Sequence, residues 1–292
     1  MKCDLCPRKC LVDRKKGEKG ICGQTENLKV ARAALHFWEE PCISGDAGSG
    51  AVFFSGCPLH CVFCQNENIA NGTVGKEISL ERLVDIFLEL QEKRANNINL
   101  VTPGHFVPQI VKALDQARKE GLTLPVVYNT SSYETVDTIK MLEGYVDIYL
   151  PDFKYMSPVL SKKYSHAPDY AEVAKAAIAE MVRQTGKAVF VNGDEDNLIL
   201  SGTIVRHLTL PGCMADSMQI LKYLHDTYGD MIYISIMNQF TPLSNLEKYP
   251  ELNRRITDEE YETLVDYAIE IGIENGFIQE GNTAEESFYP GI

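Results

Sequence analysis

The sequence contains no stretch approaching about 18 uninterrupted apolar residues, the length an apolar helix needs to cross a bilayer, so no membrane span is expected. Its N-terminus, MKCDLCPRKC, lacks the apolar core of a secretory signal, and the expected compartment is the cytoplasm. Positive charge is also scarce. Lys and Arg number 28 against 41 Asp and Glu, a formal net charge of −13 over 292 residues. That balance argues against a nucleic-acid footprint spread over the surface, and no nucleic-acid partner is expected. One segment departs from it: residues 1–22 carry seven Lys or Arg against three acids, so the remainder sums to −17.

Cysteine, by contrast, is plentiful. Nine thiols in a chain without an export signal suit a reducing compartment, where clustered cysteines serve as metal ligands or catalytic groups rather than disulfides. Seven of the nine fall into two tight groups. Cys42 and Cys213 stand alone and read as isolated thiols.

Residues 1–48 form an extension rich in cysteine and basic residues, and the irregular link EEPCISGDAGSG (39–50) marks the expected boundary with a second unit, 49–292. Beyond it, apolar runs alternate with helical patterns. GAVFFSG precedes SLERLVDIFLELQEKRA, whose apolar positions 80, 83, 84, 87, 88 and 90 trace a helical stripe with Ser79 as N-cap. NINLVT, LPVVYN, VDIYLPD, GTIVRHLTL and MIYISI each precede a further helical segment. Six strand-then-helix units imply an α/β fold with a parallel sheet and right-handed crossovers, either doubly wound or a full or partial barrel.

Most of these strands turn polar where the apolar run ends: at Thr102, at Asn129, Thr130 and Ser131, at Asp152 and Lys154, at Arg206 and His207, and at Asn238 and Gln239. Ligands of parallel α/β folds sit at such strand ends. The first strand is followed by Cys57, Cys61 and Cys64. Three thiolates at intervals of four and three converge on one metal from a loop and leave one coordination position open, which structural zinc sites do not. A thiol-rich set suits zinc or an iron–sulfur cluster. His60, directly beside Cys61, reads as a solvated loop residue.

The stretch Cys57-Pro-Leu-His-Cys61-Val-Phe-Cys64 resembles the CxxxCxxC motif of the radical S-adenosylmethionine (SAM) superfamily. ARAALHFWEEPCISG, FSGCPLHCVFCQN, NINLVTPGHFVPQI, VDIYLPDFKY, VRHLTLPG and MNQFTP extend the resemblance over nearly the whole chain, to the group labelled pyruvate formate-lyase-activating-enzyme-like. The resemblance implies a partial (β/α)6 TIM-type barrel. It implies that Cys57, Cys61 and Cys64 hold a [4Fe–4S] cluster whose open iron binds SAM, and that SAM is reductively cleaved to a 5′-deoxyadenosyl radical. By position it implies cofactor contacts at Phe63, Thr102, Pro103, Asn129, Ser131, Asp152, Lys154, Arg206 and Asn238. It also implies a reduced flavodoxin- or ferredoxin-type electron donor. Its most specific implication is hydrogen abstraction from a glycine of a partner enzyme; radical modification of another protein, peptide or small molecule is the alternative. Two features depart from the activases: Val101-Thr102-Pro103-Gly104 stands where they carry Gly-Gly-Glu, and the pyruvate formate-lyase activase lacks the N-terminal cysteines.

Cys3, Cys6, Cys10 and Cys22 follow the spacing C-x2-C-x3-C-x11-C, a closed all-thiol set that suits structural zinc or a second iron–sulfur cluster; spacing alone leaves both open. Arg8, Lys9, Arg14, Lys15, Lys16 and Lys19 offset thiolate charge, form a solvated face or dock an acidic partner. Two readings of another class are a non-catalytic iron–sulfur electron carrier and a zinc-stabilised interaction protein. Six β/α units are far more chain than either needs.

Overall fold

The computed structural model describes residues 2–194, 197–243 and 246–279. In chain order its strands and helices begin with β1 (Lys29–His36), α1 (Pro41–Ser44), β2 (Ser49–Phe54), α2 (Glu67–Ala70), β3 (Lys76–Glu77), α3 (Leu80–Glu92), β4 (Ile98–Val101) and α4 (Val107–Lys119). They continue with β5 (Val126–Thr130), α5 (Val136–Lys140), β6 (Ile148–Pro151), α6 (Pro158–Ser165), α7 (Tyr170–Thr185), β7 (Val189–Phe190) and β8 (Ile199–Leu208). The last are α8 (Met214–Tyr228), β9 (Tyr233–Met237), α9 (Asp258–Glu270) and β10 (Gly276–Ile278). All six expected strands form. Ser79 caps α3 by accepting from the Arg82 N–H at 3.2 Å, as its position before the apolar stripe predicts. No helix among the described residues is long and apolar enough to cross a membrane.

The sheet runs β10-β9-β8-β6-β5-β4-β2-β1-β3, with β7 paired to β8. From β2 to β10 every neighbouring pair is parallel. Each new parallel strand is added on the same side of the last. Right-handed crossovers that never reverse direction keep the crossover helices on one face, and the sheet curls into a partial barrel rather than a doubly wound sheet. β1 was not anticipated. It belongs to the 1–48 extension, yet it pairs antiparallel with β2 over His36↔Ser49 to Val30↔Phe54, so the sheet runs across residue 48.

Alternation along each strand separates the two faces. Val126, Tyr128 and Tyr149 point outward into one apolar cluster that includes Leu83 and Phe87 of α3, Ile110 and Leu114 of α4, and Ala177 and Met181 of α7. Val127, Ile148, Leu150, Ile204 and Tyr233 point the other way and pack with Cys42 and Ile43 of α1. The concave face is therefore apolar towards the strand starts. A third, aromatic-rich cluster joins Phe63, Tyr155, Tyr164, Tyr170 and Phe240 to α6, α7, α8 and α9.

Candidate active site

Stepping two residues along each strand keeps a side chain on the concave face and changes its chemistry. Val127 leads to Asn129, Leu150 to Asp152, Ile204 to Arg206 and Tyr233 to Ser235. Adjacent strands hold these residues side by side: Asp152 bridges Arg206, and Arg206 is in register with Ser235. A polar layer thus covers the apolar floor at the C-terminal ends of the strands.

Arg206 organises that layer. Its Nη1 donates to Glu39 at 2.6 Å, its Nη2 to Asn129 Oδ1 at 3.0 Å, and its Nε lies 3.6 Å from Asp152. Glu40 is 3.7 Å away. Glu39 also accepts from Asn99 at 2.9 Å and from Asn129 at 3.3 Å. Burial pulls the guanidinium pKa down, but Glu39, Glu40 and Asp152 outweigh it and the net shift is upward. Burial raises the Glu40 carboxyl, with Arg206 opposing. Glu39, Glu40 and Asn99 were not among the residues singled out from the sequence. No local motif marks an ion pair whose partners stand 167 positions apart.

The charge chain continues outward. Asp152 Oδ2 holds the Lys154 ammonium at 2.6 Å. Burial lowers the Lys154 pKa, but Asp152 and the thiols of Cys61 and Cys64 more than offset it, giving a net upward shift. Lys154 thereby links the polar layer to the cysteine loop. In that loop, burial pushes Cys57 up to about 11 and Cys64 up to about 12, and each is raised further by the neighbouring thiols. Burial also raises Cys61, against the pull of Lys154 and of Ser165, whose hydroxyl donates to its sulfur at 3.1 Å. The backbone N–H of Leu59 donates to Cys57 Sγ at 3.5 Å, and that of Asn66 to Cys64.

Among the described residues no three His, Cys, Asp or Glu side chains close around a point at which one metal ion could sit. The donor set nevertheless fits a thiolate-bound group. Three mutually interacting thiols, each a poor acid when uncoordinated, are supplied with N–H or O–H donors and a cation. Metal ligation deprotonates such thiols outright.

The remaining residues expected from the sequence follow the C-terminal ends of β2, β4, β5 and β9. Thr102 follows β4 in the left-handed region at φ 55°, a strained conformation for a β-branched residue, and its N–H donates to the Asn129 carbonyl at 2.9 Å. Pro103 opens the short turn Gly104–Phe106. Ser131 offers its carbonyl to the Tyr170 hydroxyl at 2.9 Å. The Phe63 ring is buried against Tyr155, Tyr164 and Phe240, which leaves its backbone for any cofactor contact. Asn238, after β9, donates its N–H to Gln279 at 3.1 Å, apart from the Arg206 network. His207 turns away into the core, and Cys42 is a buried thiol of the floor.

The N-terminal cysteines gather in the same way. Burial pushes Cys6 up to about 12, with Cys22 and Cys3 adding to the rise, and Cys22 is raised by burial with Cys3 and Cys10 nearby. The N–H of Arg8 donates to Cys6 and that of Gln24 to Cys22. A Cβ on Gly20 would lie 3.1 Å from Cys10 Sγ and 3.5 Å from Cys22 Sγ, so these two sulfurs share one small space.

The family model of the Radical SAM superfamily matches residues 51–197. An uncharacterised protein of Methanocaldococcus jannaschii is 27% identical over 275 residues, covering 91% of this chain and 74% of its own length. Among solved structures, HydG, a maturase of the [FeFe]-hydrogenase, aligns with TM-score 0.52 and 14% identity over 80% of this chain and 52% of its own. SuiB of Streptococcus suis aligns with TM-score 0.51 and 12% identity over 80% and 49%. The methylornithine synthase PylB aligns with TM-score 0.50 and 14% identity over 79% and 73%. The chain spans about half the length of HydG and SuiB. At these identities the structural likeness concerns the fold.

Proposed function

This chain belongs to the radical SAM superfamily, and from that premise we propose that it is an activase-like enzyme that takes a hydrogen atom from a glycine of a partner protein. The observation that carries the reading is the convergence of three half-buried thiols with Lys154 and Asp152 at the mouth of the polar layer. When bound at Cys57, Cys61 and Cys64, a [4Fe–4S] cluster supplies the electron that breaks the sulfonium C–S bond of SAM, yielding methionine and the 5′-deoxyadenosyl radical.

The chain's own part is to bind, orient and screen. Leu59, Asn66 and Ser165 direct N–H and O–H donors at the sulfurs, and Lys154 offsets their charge when they ionise. Asp152 is an acceptor for the SAM ammonium and Lys154 a partner for its carboxylate, a charge-assisted pairing. Thr102 and Pro103, after β4, are further SAM contacts in this reading. Phe63 contributes backbone contacts, with Asn129, Ser131, Arg206 and Asn238 further round the rim. Cys3, Cys6, Cys10 and Cys22 hold a second thiolate-bound metal, zinc or iron–sulfur. The exposed Lys9, Lys15, Lys16 and Lys19 beside them suit an acidic flavodoxin- or ferredoxin-type donor.

Anaerobic reconstitution with iron, sulfide, reductant and SAM tests the chemistry. 5′-Deoxyadenosine is expected from the parent chain, and Ala at Cys57, Cys61 or Cys64 is expected to bring it to the protein-free level. No product from the reconstituted parent, alone or with candidate partners, overturns the enzyme reading. A glycyl-radical spectrum on an added partner would test the target separately.

A further inference from the structure

The four-cysteine module does more than sit beside the barrel. Arg8, midway between Cys6 and Cys10, reaches across to both sides of the barrel's cysteine loop. Its Nε donates to the Pro58 carbonyl at 2.8 Å and its Nη2 to Leu59 at 3.5 Å. The same guanidinium donates to Ser165 at 2.9 Å and His166 at 2.6 Å, the carbonyls that end α6, and lies 5.0 Å from the centre of the Tyr133 ring. Pro58 and Leu59 fall between Cys57 and Cys61, while Ser165 carries the hydroxyl on Cys61 Sγ. A second strap runs the other way: the His60 ring bonds the Ile21 carbonyl at 2.8 Å. A third is steric. The Cys22 carbonyl packs on Gly56, at φ 91°, so closely that a Cβ there would collide with it.

Each strap joins a residue at or within two positions of an N-terminal cysteine to a residue beside a barrel cysteine. The Arg8 backbone is itself held by the knuckle around Cys6, where Lys9 N–H donates to the Cys6 carbonyl at 3.1 Å and Arg8 N–H to the Cys6 sulfur. A metal that ties Cys6 to Cys10 therefore fixes the residue between them. We propose that Arg8 is a positioning residue that transmits metal occupancy of the Cys3/Cys6/Cys10/Cys22 site to the order of the Cys57–Cys64 loop. The proposal rests on the four-cysteine metal site proposed above and not on the barrel chemistry. An arginine is required because one planar fork serves four carbonyls, which a single ammonium does not.

The test uses the full chain with Cys57, Cys61 and Cys64 replaced by Ala, in which the four N-terminal cysteines are the only clustered thiols left. Zinc alone, or in a separate anaerobic sample iron with sulfide, is added, and amide hydrogen exchange is followed over residues 57–66. Metal is expected to slow exchange there about tenfold or more, the change a shift of roughly 1.4 kcal/mol in local opening produces, while α4 stays unchanged. Adding Arg8→Ala is expected to keep the metal stoichiometry and lose the slowing; Arg8→Lys, which keeps the charge, is expected to recover little of it. An arginine with a merely structural role would slow exchange equally with and without metal. Retention of neither metal, exchange in 57–66 that ignores metal, or metal-dependent slowing that survives Arg8→Ala overturns the proposal. Should Arg8→Ala loosen α4 as well, Arg8→Lys decides by the same criterion. Failure here leaves the radical reading untouched, since no barrel cluster forms in this background.

Discussion

His207 stands at the end of β8 with both ring nitrogens engaged. Nδ1 bonds the Phe153 carbonyl at 2.8 Å, and Nε2 bonds the Ser217 hydroxyl at 2.8 Å. The carbonyl can only accept, so Nδ1 carries the proton and Nε2 accepts from Ser217 in a neutral ring. Burial holds its pKa down at about 4, below the ordinary 6.5. The sign follows: above 6.5 neither state binds the proton, and as pH falls from 6.5 towards 4 the unfolded chain takes it first. Stability is then lost, by up to roughly 3 kcal/mol from this residue. His207→Gln is expected to be less stable at pH 7.5 but to show a flatter loss between pH 6.5 and 4, read from thermal unfolding at each pH. Arg8 and Arg14 show the opposite case, charged residues that a basic run makes look solvated. Arg14 is buried, with its guanidinium on the Thr25 carbonyl and on the His105 carbonyl at 2.6 Å. Composition reveals their charge; only the docking of the extension reveals that backbone carbonyls use it.

Among the elements, the link from β1 to α1 and strand β8 are joined at a distance by Glu39 and Arg206, whose side chains are only 7% and 15% exposed. Charges so far from water are costly to leave unpaired. Glu39→Gln or Arg206→Met alone is expected to lower stability by about 3 kcal/mol or more. The double replacement is expected to cost less than the sum of the two, as urea unfolding of the four chains would show. Additive losses would mean that Glu40 and Asp152 already satisfy the guanidinium. The six parallel strands were legible because each is an apolar run bounded by turn residues and followed by a helical stripe. Their polar tips were legible too, at Asn129, Asp152 and Arg206, because the change from apolar to polar along a concave face is written in steps of two. β1 was not. Only Val30 of its eight residues is buried, so KVARAALH carries no apolar run, and its strand state comes from the ladder with β2. The role of Glu39 was hidden for the same reason, since its partner is supplied by topology.

At the scale of the whole molecule, the extension is built into the barrel at two levels. The four-cysteine module docks on loops through Arg8, Arg14 and His60. Residues 29–40 supply the strand that covers the β2 edge and the carboxylates that neutralise Arg206. These levels separate by truncation. A chain starting at residue 27 keeps β1, Glu39 and Glu40, and gives up the side-chain straps and the four clustered cysteines. It is expected to melt cooperatively at a lower temperature than the parent. A chain starting at residue 49 exposes the β2 edge, removes Cys42 and Ile43 from the barrel floor, and leaves Arg206 with Asp152 as its remaining carboxylate partner among those within 4 Å. It is expected to show no cooperative transition by circular dichroism and to aggregate through the bared edge. If it instead melts like the chain from residue 27, β1 and the Glu39–Arg206 pair are dispensable, and the unit boundary does lie near residue 48. If both truncated chains fail alike, the four-cysteine module is needed for the barrel to fold at all, and its straps hold more than the loop they touch.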